Sequence, residues 1–141
     1  MEFKIEEVDG EEEKDLLREL HIATFEEGTA HPNYAEGDWW IAYQGRIPAA
    51  FIGLIPSTWY DNYGYFIRVG VLPVFRGHGL QRRLMRVMER RAKRHGWNGI
   101  ISDTTSSVES ANNFIKSGYM MFDPQPGWAW PYSLYWWKEF K

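Results

Sequence analysis

The sequence predicts a mixed α/β fold, and three observations carry that expectation. Segments of strand and helix character follow the order strand, helix, three strands, helix, strand, helix, two strands. The helical segments gather their apolar residues on one stripe, while the strands alternate or run apolar between turn signals. With 141 residues and a 44 % apolar share, the chain is long enough for a domain that buries roughly 68–70 % of its unfolded surface. No repeat, low-complexity tract or linker divides it, so residues 1–141 read as a single domain.

Each element has a local reason. Phe3 to Val8 alternates as a short strand and stops at Asp9-Gly10. From Glu11 to Phe25, Leu16, Leu17, Leu20, Ile22 and Phe25 recur at helical spacing, with acids in the first turn opposing the helix dipole. Residues 26–38 hold Gly28, Pro32 and Gly37 and read as a loop. Trp39 to Tyr43, the turn at Gln44-Gly45-Arg46, and Ile47 to Ile55 form a hairpin, with Pro48 near the second strand's start. After a turn at Tyr60–Gly64, Tyr65 to Leu72 is the next strand, ended by Pro73. From Gly79 to His95 the stripe is Leu80, Leu84, Val87, Met88 and Ala92, and Gly96 closes the helix. Gly99 to Asp103 is a buried strand, and Val108 to Ser117 a short helix ended by Gly118. Tyr119 to Phe122 and Tyr132 to Phe140 pair antiparallel around the loop Pro124-Gln125-Pro126-Gly127.

Composition narrows the function. Aromatics make up 17 % of the chain, including eight Trp, which points to a large core plus an aromatic-lined pocket or interface. The absence of cysteine excludes disulfides, thiolate zinc sites and a cysteine nucleophile. His21, His31, His78 and His95 lack metal-ligand spacing, so no metal is expected. Residues 1–7 lack the regions of a signal peptide, and no apolar run could span a bilayer, so a soluble cytoplasmic protein is the economical expectation. The net charge of −3 hides an asymmetry, because residues 1–38 hold 13 of the 19 acids and residues 76–94 hold eight of the sixteen bases.

The segment richest in chemistry is Val69-Gly70-Val71-Leu72-Pro73-Val74-Phe75-Arg76-Gly77-His78-Gly79-Leu80, where a strand runs through a glycine turn into a helix. Gly77 and Gly79 allow backbone conformations and close approaches that a Cβ forbids. The N–H groups at a helix start, backed by the positive dipole end, favour an anion. The dipole supplies about 0.3–1 kcal/mol, and direct N–H bonds to phosphate add about 1.5–3 kcal/mol each. The turn therefore suits a pyrophosphate. Neither a dinucleotide-binding nor a P-loop signature is present.

This segment resembles the GNAT superfamily of N-acetyltransferases, whose signature is R/Q-x-x-G-x-G/A after a strand ending in a V-x-P-like step. Arg76-Gly77-His78-Gly79 matches, Val71 and Pro73 stand upstream, and Gln81 replaces the final Gly or Ala. A second signature of the family, N-x-x-A-x-x-L-Y-x-x-x-G-F, aligns with residues 107–119, where Ser107, Ser110 and Phe114 replace its Asn, Ala and Tyr and the Gly118-Tyr119 end is kept. The element order from residue 3 to 140 is also that of the family. The resemblance implies a central, mostly antiparallel twisted sheet flanked by helices, and acetyl-CoA as acyl donor.

By the same resemblance, Val69 and Val71 would bond the pantetheine arm through their backbone, and a strand N–H would polarise the thioester carbonyl. Arg76, Gly77, His78, Gly79, Leu80 and Gln81 would cradle the pyrophosphate, with Arg82, Arg83 or Arg86 near the 3′-phosphate and Phe114 beside the cofactor. An amine acceptor, small molecule or protein, would attack in a ternary complex, and the acidic N-terminal third would steer a cationic one. The family's glutamate base and tyrosine acid are missing from Tyr63–Arg68 and from position 114. Positioning supplies roughly 7–11 kcal/mol, more than the about 10²–10⁴-fold of acid–base help, so catalysis survives both losses. Asp103 is the first choice as base, and Tyr119, Asp61 and Tyr65 are the other substitutes; water-mediated deprotonation is equally open. Asp103 has a second reading, as the cap of the helix that follows it.

Two other functions compete. One is a GNAT-fold protein with reduced catalysis that binds CoA or a partner, with Trp128-Ala129-Trp130 as its surface. Trp136-Trp137 belongs to the same candidate surface, and the alternative for these Trp pairs is strand packing on both faces or a homodimer contact. The other is a nucleic-acid module built on the seven bases of residues 81–95, which the negative net charge opposes.

Overall fold

A computed structural model describes residues 2–141. The strands are β1 (Lys4–Val8), β2 (Asp38–Gln44), β3 (Ile47–Pro56), β4 (Tyr63–Val71), β5 (Gly99–Thr104), β6 (Met120–Phe122) and β7 (Leu134–Glu139). The helices are α1 (Lys14–Thr24), α2 (Leu80–Arg94) and α3 (Val108–Lys116), and a single 3₁₀ turn covers Pro73–Phe75. The order is the one expected, and the strands lie in the sheet as β1-β2-β3-β4-β5-β7-β6. The chain falls into two compact units: Met1–Ile55 with Phe66–Met88, and Pro56–Tyr65 with Glu89–Lys141.

The first unit is built on the β2–β3 hairpin. A two-residue turn at Gly45-Arg46 sets its register, and a shift between Ala42 and Tyr43 brings Pro48 opposite Tyr43. Pro48 thus sits at an irregularity, where its missing N–H breaks no regular ladder bond. β1 adds antiparallel to β2, from Lys4↔Tyr43 to Val8↔Trp39. The core gathers Leu17 and Leu20 of α1, Trp39 and Ile41 of β2, Phe51 of β3, and Tyr34. Each such side chain, fully buried, contributes about 1.5–3 kcal/mol. α1 begins three residues later than expected. The Asp9 carboxylate takes the N–H groups of Glu11 and Glu12 at 2.9 and 3.1 Å, which holds the chain in a turn. The first helical bond is Leu17 N–H to the Glu13 carbonyl.

In the second unit β5 is the centre. It pairs parallel with β4 from Tyr63↔Gly99 to Tyr65↔Ile101, and antiparallel with β7, which also carries β6. Phe114 of α3 stacks on Trp136 of β7 at 5.3 Å and 5° and meets Tyr119 edge-on at 4.9 Å. Ser107, not Asp103, caps α3, its hydroxyl accepting from the Ser110 N–H at 3.1 Å. Two features of α2 depart from the sequence reading. Met85 is buried where Val87 was expected, and Glu89 is buried among the apolar residues. Glu89 survives there because Lys138 reaches it at 2.8 Å and the Tyr119 hydroxyl donates to it at 3.2 Å.

Candidate active site

The glycine turn is open and anchored from below. After Val69 and Val71, both half-buried on β4, Pro73–Phe75 turns the chain. The Phe75 N–H bonds the Leu72 carbonyl at 2.9 Å, and the Leu72 N–H bonds Ala49 at 2.9 Å. Phe75 is buried edge-on to Phe3 at 5.8 Å, while His78 rests against the same ring at 5.5 Å. Arg83 donates to the Phe3 carbonyl at 3.1 Å. These contacts fix the turn without covering it. Arg76, Gly77, His78 and Gly79 are exposed, Leu80 is buried and pins the helix start, and Gln81 is half-buried with its amide 4.0 Å from Met85 Sδ.

Gly77 and Gly79 have φ of +85° and +71°, the left-handed region that L side chains rarely enter. A Cβ at either would meet no protein atom within 4 Å, so packing does not require glycine there; the backbone angle does. The first α2 bond runs from Arg83 N–H to the Gly79 carbonyl at 3.1 Å, so the N–H groups of Leu80, Gln81 and Arg82 precede the helical ladder. α1 and α3 place an acid in the first turn, Asp15 and Glu109, but α2 has none. Its positive end therefore has no acid of its own first turn to balance it. Arg82 adds an Nε that is buried without a hydrogen-bond partner among the described residues.

The second constellation, in the other unit, surrounds Asp103. Its Oδ2 accepts from the Tyr65 hydroxyl at 2.6 Å and from Trp128 Nε1 at 2.9 Å. Trp128 stacks on Trp59 at 4.7 Å and 16°, and Trp59 meets Tyr65 edge-on at 5.0 Å. The Tyr135 hydroxyl accepts from the Ala129 N–H at 2.8 Å and so holds the loop that carries Trp128. Sequence reasoning singled out Asp103 and Tyr65 but missed that Trp59 and Trp128 join them; the turn at Ser57–Tyr60 and the Trp-x-Trp step carried no signal of their meeting. Tyr119 and Phe114 lie elsewhere in this unit. Tyr119 is 4 % exposed, and burial together with Glu89 pushes its pKa well above the ordinary 10. Phe114 is enclosed by Trp136 and Tyr119.

A third cluster belongs to the first unit. His21, expected as structural or surface, is 1 % exposed. It lies between Phe25 at 4.5 Å and His31 at 4.4 Å, and accepts from Arg68 Nε at 3.3 Å on its Nε2. Burial above all, then His31 and Arg68, lowers its pKa from 6.5 to about 4. It is therefore neutral near pH 7, with its proton on Nδ1. Arg68 also donates to the carbonyls of Ile67 and Ala30, tying the loop after α1 to β4.

No helix among the described residues is long and apolar enough to cross a membrane. No curated protein matches the sequence. Among solved structures, the chain is similar in fold to the IAA acetyltransferase from Bacillus cereus ATCC 14579, with 18 % identity, a TM-score of 0.77, and coverage of 99 % of this chain and 100 % of that one. A polyamine N-acetyltransferase from Drosophila melanogaster matches with 15 % identity and a TM-score of 0.77, covering 99 % and 100 %. A candidate streptothricin acetyltransferase from Bacillus anthracis str. Ames, solved with acetyl coenzyme A, matches with 20 % identity and a TM-score of 0.74, covering 100 % of both chains. The family described as Acetyltransferase (GNAT) family matches residues 5–119, the span that holds the open glycine turn and the helix behind it. The chain belongs to the GNAT family of acetyltransferases.

Proposed function

We propose that this chain, residues 1–141 working as one domain, transfers an acetyl group from acetyl-CoA to a primary amine of a small molecule or protein. The single observation that carries the reading is the open turn at Gly77 and Gly79, with left-handed backbone, no protein atom within 4 Å of either missing Cβ, and no acid in the helix turn behind it. A diphosphate fits that cradle. The N–H groups of Gly77 to Gln81 would hold it, Arg76 and Arg82 would add charge, and the Val69–Val71 backbone would carry the pantetheine arm. Acetyl-CoA bound there would supply an acetyl thioester: the neutral amine nitrogen would form the amide bond as the carbon–sulfur bond breaks, and the proton that nitrogen then sheds would balance the one the departing thiolate takes up.

The chain's own part is to orient the reactants and handle one proton. A primary amine is mostly ammonium at neutral pH, so it must lose a proton before attack. Asp103 is the carboxylate we assign to that task. Both hydrogen bonds it receives fall on Oδ2, and Oδ1 accepts none among the described residues. Tyr119 keeps its proton in a bond to Glu89, and in this reading it serves the core. Phe114, enclosed by Trp136 and Tyr119, serves the same core. Calorimetric titration with acetyl-CoA tests the proposal. The wild type should bind, and Gly79→Glu should abolish binding by filling the approach and adding negative charge. Undiminished affinity in that variant would contradict the site.

A further inference from the structure

We propose that Asp103 with Trp59, Tyr65 and Trp128 recognises an alkylammonium cation, so that the acceptor is an amine on a saturated carbon skeleton without a carboxylate beside it. The inference rests on the acetyl-transfer reading and names its acceptor class. Its first ground is charge. Glu89, the buried acid of the same unit, is matched by Lys138 at 2.8 Å. Asp103 is half-buried, yet among the described residues no Lys, Arg or His pairs with it. Its two donors, a phenol and an indole, are neutral. Together they orient the carboxylate without cancelling its charge. A half-buried anion held this way attracts a cation more strongly than a fully hydrated one does.

The second ground is the rings. Trp59 rests one face on Trp128, yet 46 % of its surface stays exposed, and the neighbouring Tyr60 is 40 % exposed. Large rings packed on the donors of an uncompensated carboxylate and left partly exposed suit a partner that is both cationic and greasy. The ring quadrupole attracts an ammonium group, indole most strongly, and the flat indole surface covers methylene carbons. The same arrangement discriminates. An amino acid would bring its own carboxylate toward Asp103 and be repelled, and an aryl amine is uncharged near neutral pH.

The test uses the full chain with acetyl-CoA and three amines, 1,4-diaminobutane, glycine and aniline, in a thiol-release assay. Only 1,4-diaminobutane should turn over well. Trp59→Ala should raise its KM about tenfold, with Trp59→Phe recovering most of the loss, and Asp103→Asn should lower kcat/KM at least a hundredfold. A binding measurement independent of turnover runs beside it, following the Trp128 indole N–H resonance, identified by its absence in Trp128→Phe. That resonance should shift on titration with 1,4-diaminobutane, stay still with the neutral 1,4-butanediol, and lose its response in Asp103→Asn. If acetyl-CoA binds but glycine or aniline is the better acceptor, or the diol shifts the resonance equally, the cation site is overturned while acetyl transfer stands. If acetyl-CoA does not bind at all, the transfer reading falls, and the resonance still decides the cation site.

Discussion

Two alanine substitutions separate the backbone role of the glycine turn from its binding role. Gly79 and Gly45 both have positive φ, +71° and +60°, and at both an added Cβ would touch no protein atom within 4 Å. Gly79→Ala and Gly45→Ala should therefore destabilise the fold alike, by about 1–2 kcal/mol for forcing an L side chain into the left-handed region. Only Gly79 borders the proposed diphosphate cradle. There the new methyl group would occupy the approach path and weaken at least one charge-assisted N–H bond, worth about 1.5–3 kcal/mol. At about 1.4 kcal/mol per factor of ten, acetyl-CoA affinity should fall roughly ten- to hundredfold in Gly79→Ala and stay unchanged in Gly45→Ala. Urea unfolding measures the first effect and calorimetric titration the second. Equal affinities in the two variants, with equal losses of stability, would show that the turn is open for reasons unrelated to phosphate.

Two further outcomes concern stability. His21 has a folded pKa of about 4 against an ordinary 6.5, so as pH falls the unfolded chain takes the proton first. Stability is full above pH 6.5 and declines between 6.5 and about 4, by up to about 3 kcal/mol; His21→Gln should flatten that slope in urea titrations at pH 7 and 4.5, and an unchanged slope would refute the assignment. Lys138→Met leaves the Glu89 carboxylate buried without its cation and should cost about 3 kcal/mol, read as a lower melting temperature. Adding Glu89→Gln to that variant should restore part of the loss, and a further drop would mean that the pair does not matter through its charge.

Local rules were enough for the fold class and for the position of the glycine turn. Strand alternation, helical stripes and turn residues depend on neighbours a few positions away, so the order of elements and the glycine turn at Gly77–Gly79 were legible from residue types alone. The start of α1 was misjudged because the Asp9 side chain competes for the Glu11 and Glu12 amides, a choice that periodicity cannot report. What tertiary structure alone decided were the partners of polar and aromatic groups. Glu89 is tolerable inside α2 only because Lys138, 49 positions away, is delivered to it. Asp103 is an oriented carboxylate only because Tyr65, 38 positions before it, and Trp128, 25 after it, converge on one oxygen. A buried or half-buried charge takes its character from whatever the topology places against it, and those distances in sequence lie far beyond the reach of a helical turn or a strand's alternation.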